Sequence, residues 1–261
     1  MRYEDHVTTR VTLVVPCYNE AARLRTAAYV DAIRLYPWLH LLFVDDGSRD
    51  RTRDVLAELA AQCDGRALVK SLPANAGKAE AVRQGMLAAA DGDADVTGYW
   101  DADLATPFEA LPAFLSVLRS TPAIEIVIGA RVQLLGRHID RSPLRHYIGR
   151  VFATGASLAL SLPVYDTQCG AKVFRRTPRI RAVFEQPFAT RWIFDVELLA
   201  RYLDSDDVPE PGTPPLAERI YELPLRSWVD EPGSKVKTWD GVRAMLDLVR
   251  IARMRGRRRR S

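Results

Sequence analysis

Asp101 and Asp103 stand one residue apart in the stretch YWDADLATP, where an apolar, strand-like run gives way to a polar turn. Along a strand, successive side chains face opposite sides, but at its end the chain turns and two such carboxylates can converge. Crowded carboxylates repel, so they either share a proton or hold a cation. An Asp-x-Asp pair suits Mg²⁺ or Mn²⁺, ions that keep water and phosphate oxygens as their other ligands. The same residues can also make a solvated turn, with Pro107 opening the next helix at its first position. A second pair, Asp45 and Asp46, closes another apolar run in LLFVDDGSRD. A carboxylate at such a place can accept hydrogen bonds from a nucleoside base or ribose.

Other chemistries lack their residues. The NAGKA stretch has a Gly-Lys pair, but Leu72 and Ala79 stand where a phosphate-binding P-loop has Gly and Ser or Thr. DDGSRD places Gly47 too early for a calcium loop. No Gly-x-Gly-x-x-Gly follows the first apolar run, and DADLA carries Ala105 where a haloacid-dehalogenase-like phosphatase has Thr or Val. The four histidines, His6, His40, His138 and His146, are scattered, which leaves little material for a histidine-rich metal site or a Ser–His–Asp triad. Cys17, Cys63 and Cys169 lie far apart without a CxxC pattern and read as reduced thiols.

The elements that must position these acids alternate in the first half. Apolar, β-rich runs occur at Val11–Val15, His40–Val44, Ala67–Ser71, Thr97–Trp100 and Glu125–Ile128, separated by helical patterns at Glu20–Tyr36, Thr52–Cys63, Ala79–Ala90 and Phe108–Arg119. Such alternation predicts an α/β fold, a mostly parallel central sheet flanked by helices. Ligands in such folds gather at the carboxyl ends of the strands, which here read PCYNE, DDGSRD, NAGK and DAD. The second half is less regular: helices are expected over Arg145–Leu160, from Phe194 through Leu203 and over Trp239–Arg253, and a strand over Arg219–Leu225. The chain reads as one domain over residues 1–240, followed by an amphipathic helix and arginine-rich tail over 241–261.

Charge is unevenly spread. The last seven residues, RGRRRRS, carry five arginines, more than the formal net charge of +4, so the remainder is slightly acidic. Upstream of them, Val242, Met245, Leu246 and Val249 recur at helical spacing among Arg243, Arg250 and Arg253. That pattern suits an anionic membrane surface and equally suits a helix packed on the domain with a solvated tail. The polar start MRYEDHVTTR is no signal peptide, and the longest uncharged stretch, Val151–Tyr165, is too short and polar to span a bilayer. A cytoplasmic protein attached peripherally to a membrane is expected.

Six segments, VTLVVPCYNEAARL, LLFVDDGSRDRT, NAGKAEAVRQG, DADLATP, DTQCGAKVFRR and RWIFDVELL, resemble in this order the family-2 glycosyltransferases over roughly residues 11–240. DTQCG followed by RWIFDVELL most resembles the dolichyl-phosphate glucosyltransferase branch. The resemblance implies a GT-A fold and inverting, metal-dependent transfer of a hexose from a nucleotide sugar to a polyprenyl phosphate. It gives Pro16, Tyr18, Glu20, Asp45 and Asp46 to the nucleoside pocket, and Gly77 and Lys78 a place near the donor. It gives Asp101 and Asp103 the metal and diphosphate. Asp166, Gln168, Cys169 and Gly170 would lie beside the transferred sugar, Trp192, Asp195 and Glu197 near the acceptor, and Trp228, Lys235 and Lys237 over the phosphates.

A phosphate acceptor has a second pKa of about 6 and is mostly ionised at neutral pH, so no dedicated base is needed. Cations must instead hold two anions together: the metal, and Arg131, Arg141, Lys235 or Lys237. Arg131 directly follows the fifth apolar run, a good position for reaching the rim. UDP-glucose is the expected donor. The readings beside it are a GDP-mannose-dependent enzyme, a family-2 transferase with a soluble acceptor that uses Asp166 or Asp195 as base, and a membrane-binding module working through the basic tail.

Overall fold

The computed structural model describes residues 9–140, 143–205, 212–229 and 238–258. The first half lays down strand and helix in turn: β1 (Val11–Cys17), α1 (Thr26–Leu35), β2 (Leu39–Asp45), α2 (Thr52–Ala61), β3 (Ala67–Ser71), α3 (Lys78–Ala90), β4 (Val96–Trp100), α4 (Leu111–Ser120) and β5 (Ile126–Ala130). The second half adds β6 (His138–Asp140), α5 (Pro143–Leu160), β7 (Ala171–Arg175), α6 (Pro178–Glu185), α7 (Phe194–Leu203), β8 (Ile220–Pro224), β9 (Ser227–Val229) and α8 (Thr238–Arg258). The main sheet runs β3-β2-β1-β4-β7-β5-β8 and is parallel except for β7, which is antiparallel to both neighbours. β6 and β9 pair separately in parallel.

β4 and β5 are buried at every residue, as apolar strands covered on both faces must be. One face packs Leu13, Phe43 and Trp100 under Tyr29 of α1, Leu56 of α2 and Phe114 of α4. The other packs Val14, Val44 and Phe174 under Met86 of α3, Leu198 of α7 and Ile251 of α8. Two apolar layers thus hold the strands so that their polar carboxyl ends share one edge.

Departures from the sequence expectation have local causes. α1 begins at Thr26 rather than Glu20, because the Glu20 N–H donates to Thr52 Oγ1 (2.8 Å) and its carbonyl accepts from Arg23 and Leu24, closing a turn. β7 carries Lys172 and Arg175, which break the apolar strand signature, and Lys172 is nonetheless fully buried. α6 has a legible start: Thr177 accepts from the Ile180 N–H (3.2 Å) and Pro178 takes the first turn. α8 crosses residue 240, where the sequence places the domain end, and buries Ala244, Leu248 and Ile251 in the core. No helix among the described residues is long and apolar enough to cross a membrane.

Candidate active site

The carboxyl ends of β1, β2, β4 and β5, with the residues just before β7, open onto a cavity of about 740 Å³. Pro16, Tyr18, Glu20 and Asp46 line one side, Arg131, Asp166, Gln168 and Trp228 the other, and Asp101 and Asp103 stand between them. This is the crevice in which an open α/β sheet binds ligands.

The Asp101–Leu104 turn is pinned from below. Its carbonyls accept from Tyr29 Oη at Ala102 (2.9 Å) and from Arg25 Nη2 at Asp103 (2.7 Å) and Leu104 (2.8 Å). Trp100 Nε1 donates to the Thr106 carbonyl (2.7 Å), and the Asp101 N–H donates to Gly170 (3.0 Å). Leu104 sits at φ 54°, a left-handed conformation costing a branched residue on the order of 1 kcal/mol, which this framework must hold. Gly170 is there for space: a Cβ on it would fall 1.9 Å from Asp101 Oδ2.

Charge at the turn is unbalanced toward the negative. Burial and then neighbouring Asp101 raise the Asp103 carboxyl above its usual range. Lys78 Nζ lies 2.5 Å from Asp101 Oδ1, and although burial disfavours its charge, Asp101 and Asp195 hold the ammonium above its ordinary value. No cluster of three or more metal-ligating side chains gathers among the described residues. Two crowded carboxylates without a third fit a hard divalent cation that completes its shell with water and diphosphate oxygens.

On the side lined by Pro16, Tyr18 and Glu20, Asp46 organises a loop. Its carboxylate accepts from Asn75 Nδ2 (3.0 Å) and the N–H groups of Ala76 and Gly77 (both 2.8 Å). Burial raises its pKa despite those amides. This loop delivers Lys78 at the start of α3. Glu20 accepts the Arg23 guanidinium, and both line the cavity. Asp45 does not reach it: the side chain is fully buried, accepting from the Ser48 N–H (3.1 Å) with Arg53 Nε 3.6 Å away. It braces the turn after β2 through Oδ1, and its Oδ2 is buried without a hydrogen-bond partner among the described residues.

The opposite side of the cavity is built from charge pairs. Arg131 grips Asp166 with Nε and Nη2 (2.6 and 2.8 Å) and packs 5.2 Å from the Trp228 ring. Burial opposes ionisation of Asp166, but Arg131 overrides it and holds the carboxyl at about 2. The N–H groups of Tyr165 and Asp166 donate to Glu222 (2.7 and 2.8 Å), fixing that loop to β8. Asp195 accepts from the buried Lys172 ammonium (2.5 Å) and from Tyr99 Oη. Both carboxylates are therefore paired with a cation, Asp195 through Oδ1 alone.

Trp192 is exposed at the cavity mouth. Glu197 lies behind it, accepting from the Ala189 and Thr190 N–H groups and from Arg201 (2.8 Å), so it shapes the loop rather than meeting a ligand. Cys169 does not line the cavity: it is fully buried, its sulfur faces Gly129, and burial pushes the thiol up to about 11. Lys235, Lys237 and Arg141 lie outside the described residues. Sequence reasoning missed Arg150, Tyr165 and Arg191 in the lining and Lys172 beneath it. Arg150 stacks 3.9 Å over Tyr165, and its Nη1 is buried without a hydrogen-bond partner among the described residues. Arg191 precedes Trp192 in RWIFDVELL, Lys172 lies within DTQCGAKVFRR and Tyr165 directly before it, whereas Arg150 stands in none of the six segments.

Residues 12–180 match the model of glycosyl transferase family 2. A dolichyl-phosphate beta-glucosyltransferase of Trichomonas vaginalis is 31% identical over 95% of this chain and 74% of its own length. The human dolichyl-phosphate beta-glucosyltransferase is 30% identical over 95% of this chain and 76% of its own length. Among solved structures, glucosyl-3-phosphoglycerate synthase from Mycobacterium tuberculosis, crystallised with Mn²⁺, UDP and glucosyl-3-phosphoglycerate, shares the fold. Its TM-score is 0.62 at 20% identity, covering 95% of this chain and 80% of that one. TarS of S. aureus in complex with UDP gives 0.57 at 14% identity, covering 94% and 65%.

Proposed function

The chain belongs to glycosyl transferase family 2, and we propose from that premise that it transfers glucose, with inversion, from UDP-glucose to a polyprenyl phosphate. One observation carries the choice of acceptor. Asp166 and Asp195, the carboxylates placed to serve as base, are each paired with a cation, which lowers their basicity. An acceptor hydroxyl needs its proton removed; an acceptor phosphate is already ionised. The curated relatives' glucosyltransferase activity on dolichyl phosphate supports the same reading.

The residues divide the work. Asp46 and its loop form the donor-side wall with Pro16, Tyr18 and Glu20, and bring Lys78 towards the diphosphate. Asp101 and Asp103 would hold Mg²⁺ or Mn²⁺, which when bound offsets the negative charge of the diphosphate. Arg150, stacked on Tyr165, presents positive charge to the acceptor phosphate, and Arg131, paired with Asp166 and braced by Trp228, helps to orient it. The rate then comes from holding two anions in line and stabilising charge, without proton transfer. A polyprenyl phosphate resides in a bilayer, so the enzyme meets it peripherally, at an anionic cytoplasmic surface that the arginine-rich C-terminal end suits.

Calorimetry with UDP-glucose and GDP-mannose, with Mg²⁺ and with EDTA, tests the donor, and a transfer assay with polyprenyl phosphate against 3-phosphoglycerate tests the acceptor. Metal-dependent binding of UDP-glucose and glucosylation of the polyprenyl phosphate are expected. Preference for GDP-mannose overturns the sugar; transfer to the glycerate hydroxyl alone overturns the acceptor.

A further inference from the structure

We propose that the paired outer faces of α5 and α8 form a membrane-docking surface for an anionic bilayer, separate from the basic tail. The inference rests on the lipid-acceptor reading above and names the surface by which that acceptor is reached. On α5, Val151, Thr154 and Leu158 fall on one face, with Val151 66% and Leu158 77% exposed. On α8, Met245, Val249 and Ala252 likewise fall on one face and are exposed, while Ala244, Leu248 and Ile251 turn inward. The two stripes are continuous, because α8 crosses α5 at Gly155. A Cβ placed on Gly155 would lie 3.1 Å from Leu248 Cδ1 and 4.0 Å from Met245 Cε.

Two further features select a bilayer as occupant. Arg243, Arg250 and Arg253 are exposed on α8 beside the apolar stripe, a combination that fits anionic headgroups above an apolar layer. The same two helices also wall the cavity, α5 with Arg150, Phe152 and Ala153 and α8 with Ala244. A lipid whose phosphate meets Arg150 therefore has its hydrocarbon chain leaving beside the stripe. The first arginine of the tail cluster does not contribute: Arg255 is buried, donating to Asp204 Oδ1 (2.9 Å) and to the Leu160 carbonyl.

The test is sedimentation of the full chain, without substrate, with vesicles of phosphatidylcholine alone or mixed equally with phosphatidylglycerol. Leu158→Ser, Met245→Ser and Val249→Ser combined should weaken partitioning by on the order of tenfold or more, from lost apolar burial. Arg250→Ala and Arg253→Ala should each weaken binding to the anionic vesicles by about fivefold. Calorimetry with UDP-glucose and circular dichroism on the same proteins report folding and the donor site. Unchanged partitioning of the triple variant overturns the proposal, as does a wild-type dimer that the triple variant dissolves, since the face would then join two copies. If the triple variant loses vesicle binding and neither protein binds UDP-glucose, the docking face stands and the proposed donor falls.

Discussion

The two sides of the cavity use carboxylates in opposite ways. On the donor side Asp46 spends its oxygens on Asn75 and the N–H groups of Ala76 and Gly77, Asp45 accepts from Ser48, and the cations that meet Glu20, Asp45 and Asp101 (Arg23, Arg53 and Lys78) stay open to solvent. On the acceptor side Asp166, Asp195 and Glu197 each meet a cation that is largely withdrawn from solvent: Arg131, Lys172 and Arg201 respectively. A carboxylate on backbone amides shapes a loop and leaves it negative, which suits a base, a ribose or a metal. A carboxylate on a buried cation cancels charge and fixes two distant elements, leaving a surface on which surplus arginines can receive a phosphate. The asymmetry predicts that acceptor-side variants lose stability first, while variants at the Asp101–Asp103 turn lose activity in a folded protein.

The largest expected effect is Lys172→Met. It leaves Asp195 buried without its cation and should cost about 3–5 kcal/mol in urea unfolding. Asp195→Leu added to it should recover much of that loss, since removing both charges of a buried pair is often neutral. A Lys172→Met protein as stable as wild type would remove the basis of the comparison. Asp103→Asn should instead lower turnover roughly a hundred- to a thousandfold, with an unfolding midpoint close to wild type. Gly170→Ala tests positioning alone: the added Cβ must displace the Asp101 carboxylate, and displacement by about 1 Å should cost roughly a hundredfold in turnover.

Asp166 gives the comparison a pH dependence. Its folded-state value of about 2 lies below that of an ordinary carboxylate, so its stabilisation is complete above about pH 4 and is lost as the pH falls towards 2. The gap in urea stability between wild type and Asp166→Asn should be about 2 kcal/mol at neutral pH and should shrink on acidification. A gap that does not change with pH would mean that the Arg131 pair contributes nothing to folding.

The donor side was far more legible in sequence than the acceptor side, for the same physical reason. Strand–helix alternation and polar strand ends are local patterns, and Asp46, Lys78, Asp101 and Asp103 stand within a few residues of the elements that place them. The acceptor side joins residues far apart in the chain: Tyr99 to Asp195, Arg131 to Asp166, Tyr165 to Glu222. No local spacing announces such pairs. Lys172 shows the difficulty best, because a lysine in a strand reads as an exposed edge position and here is entirely buried. Cys169 shows the reverse, since a motif resemblance assigned it to the sugar while its small apolar side chain fills the core beside Gly129.

Arg150 carries the smallest expected effect and the sharpest discrimination. Arg131 arrives at the cavity already neutralised by Asp166, so it adds direction more than net charge. Arg150 is held by stacking on Tyr165, and its Nη1 has no hydrogen-bond partner among the described residues. A phosphate there gains a charge-assisted hydrogen bond to a group that is already desolvated. Arg150→Ala should raise the KM for a short-chain polyprenyl phosphate about tenfold, the worth of one such bond, with kcat and UDP-glucose affinity little changed. Arg150→Lys should recover only part, because an ammonium neither stacks on the tyrosine nor offers a planar fork. A fall in kcat with unchanged KM would place Arg150 at the transferring sugar, and the division between donor and acceptor sides would then run through α5 rather than along it.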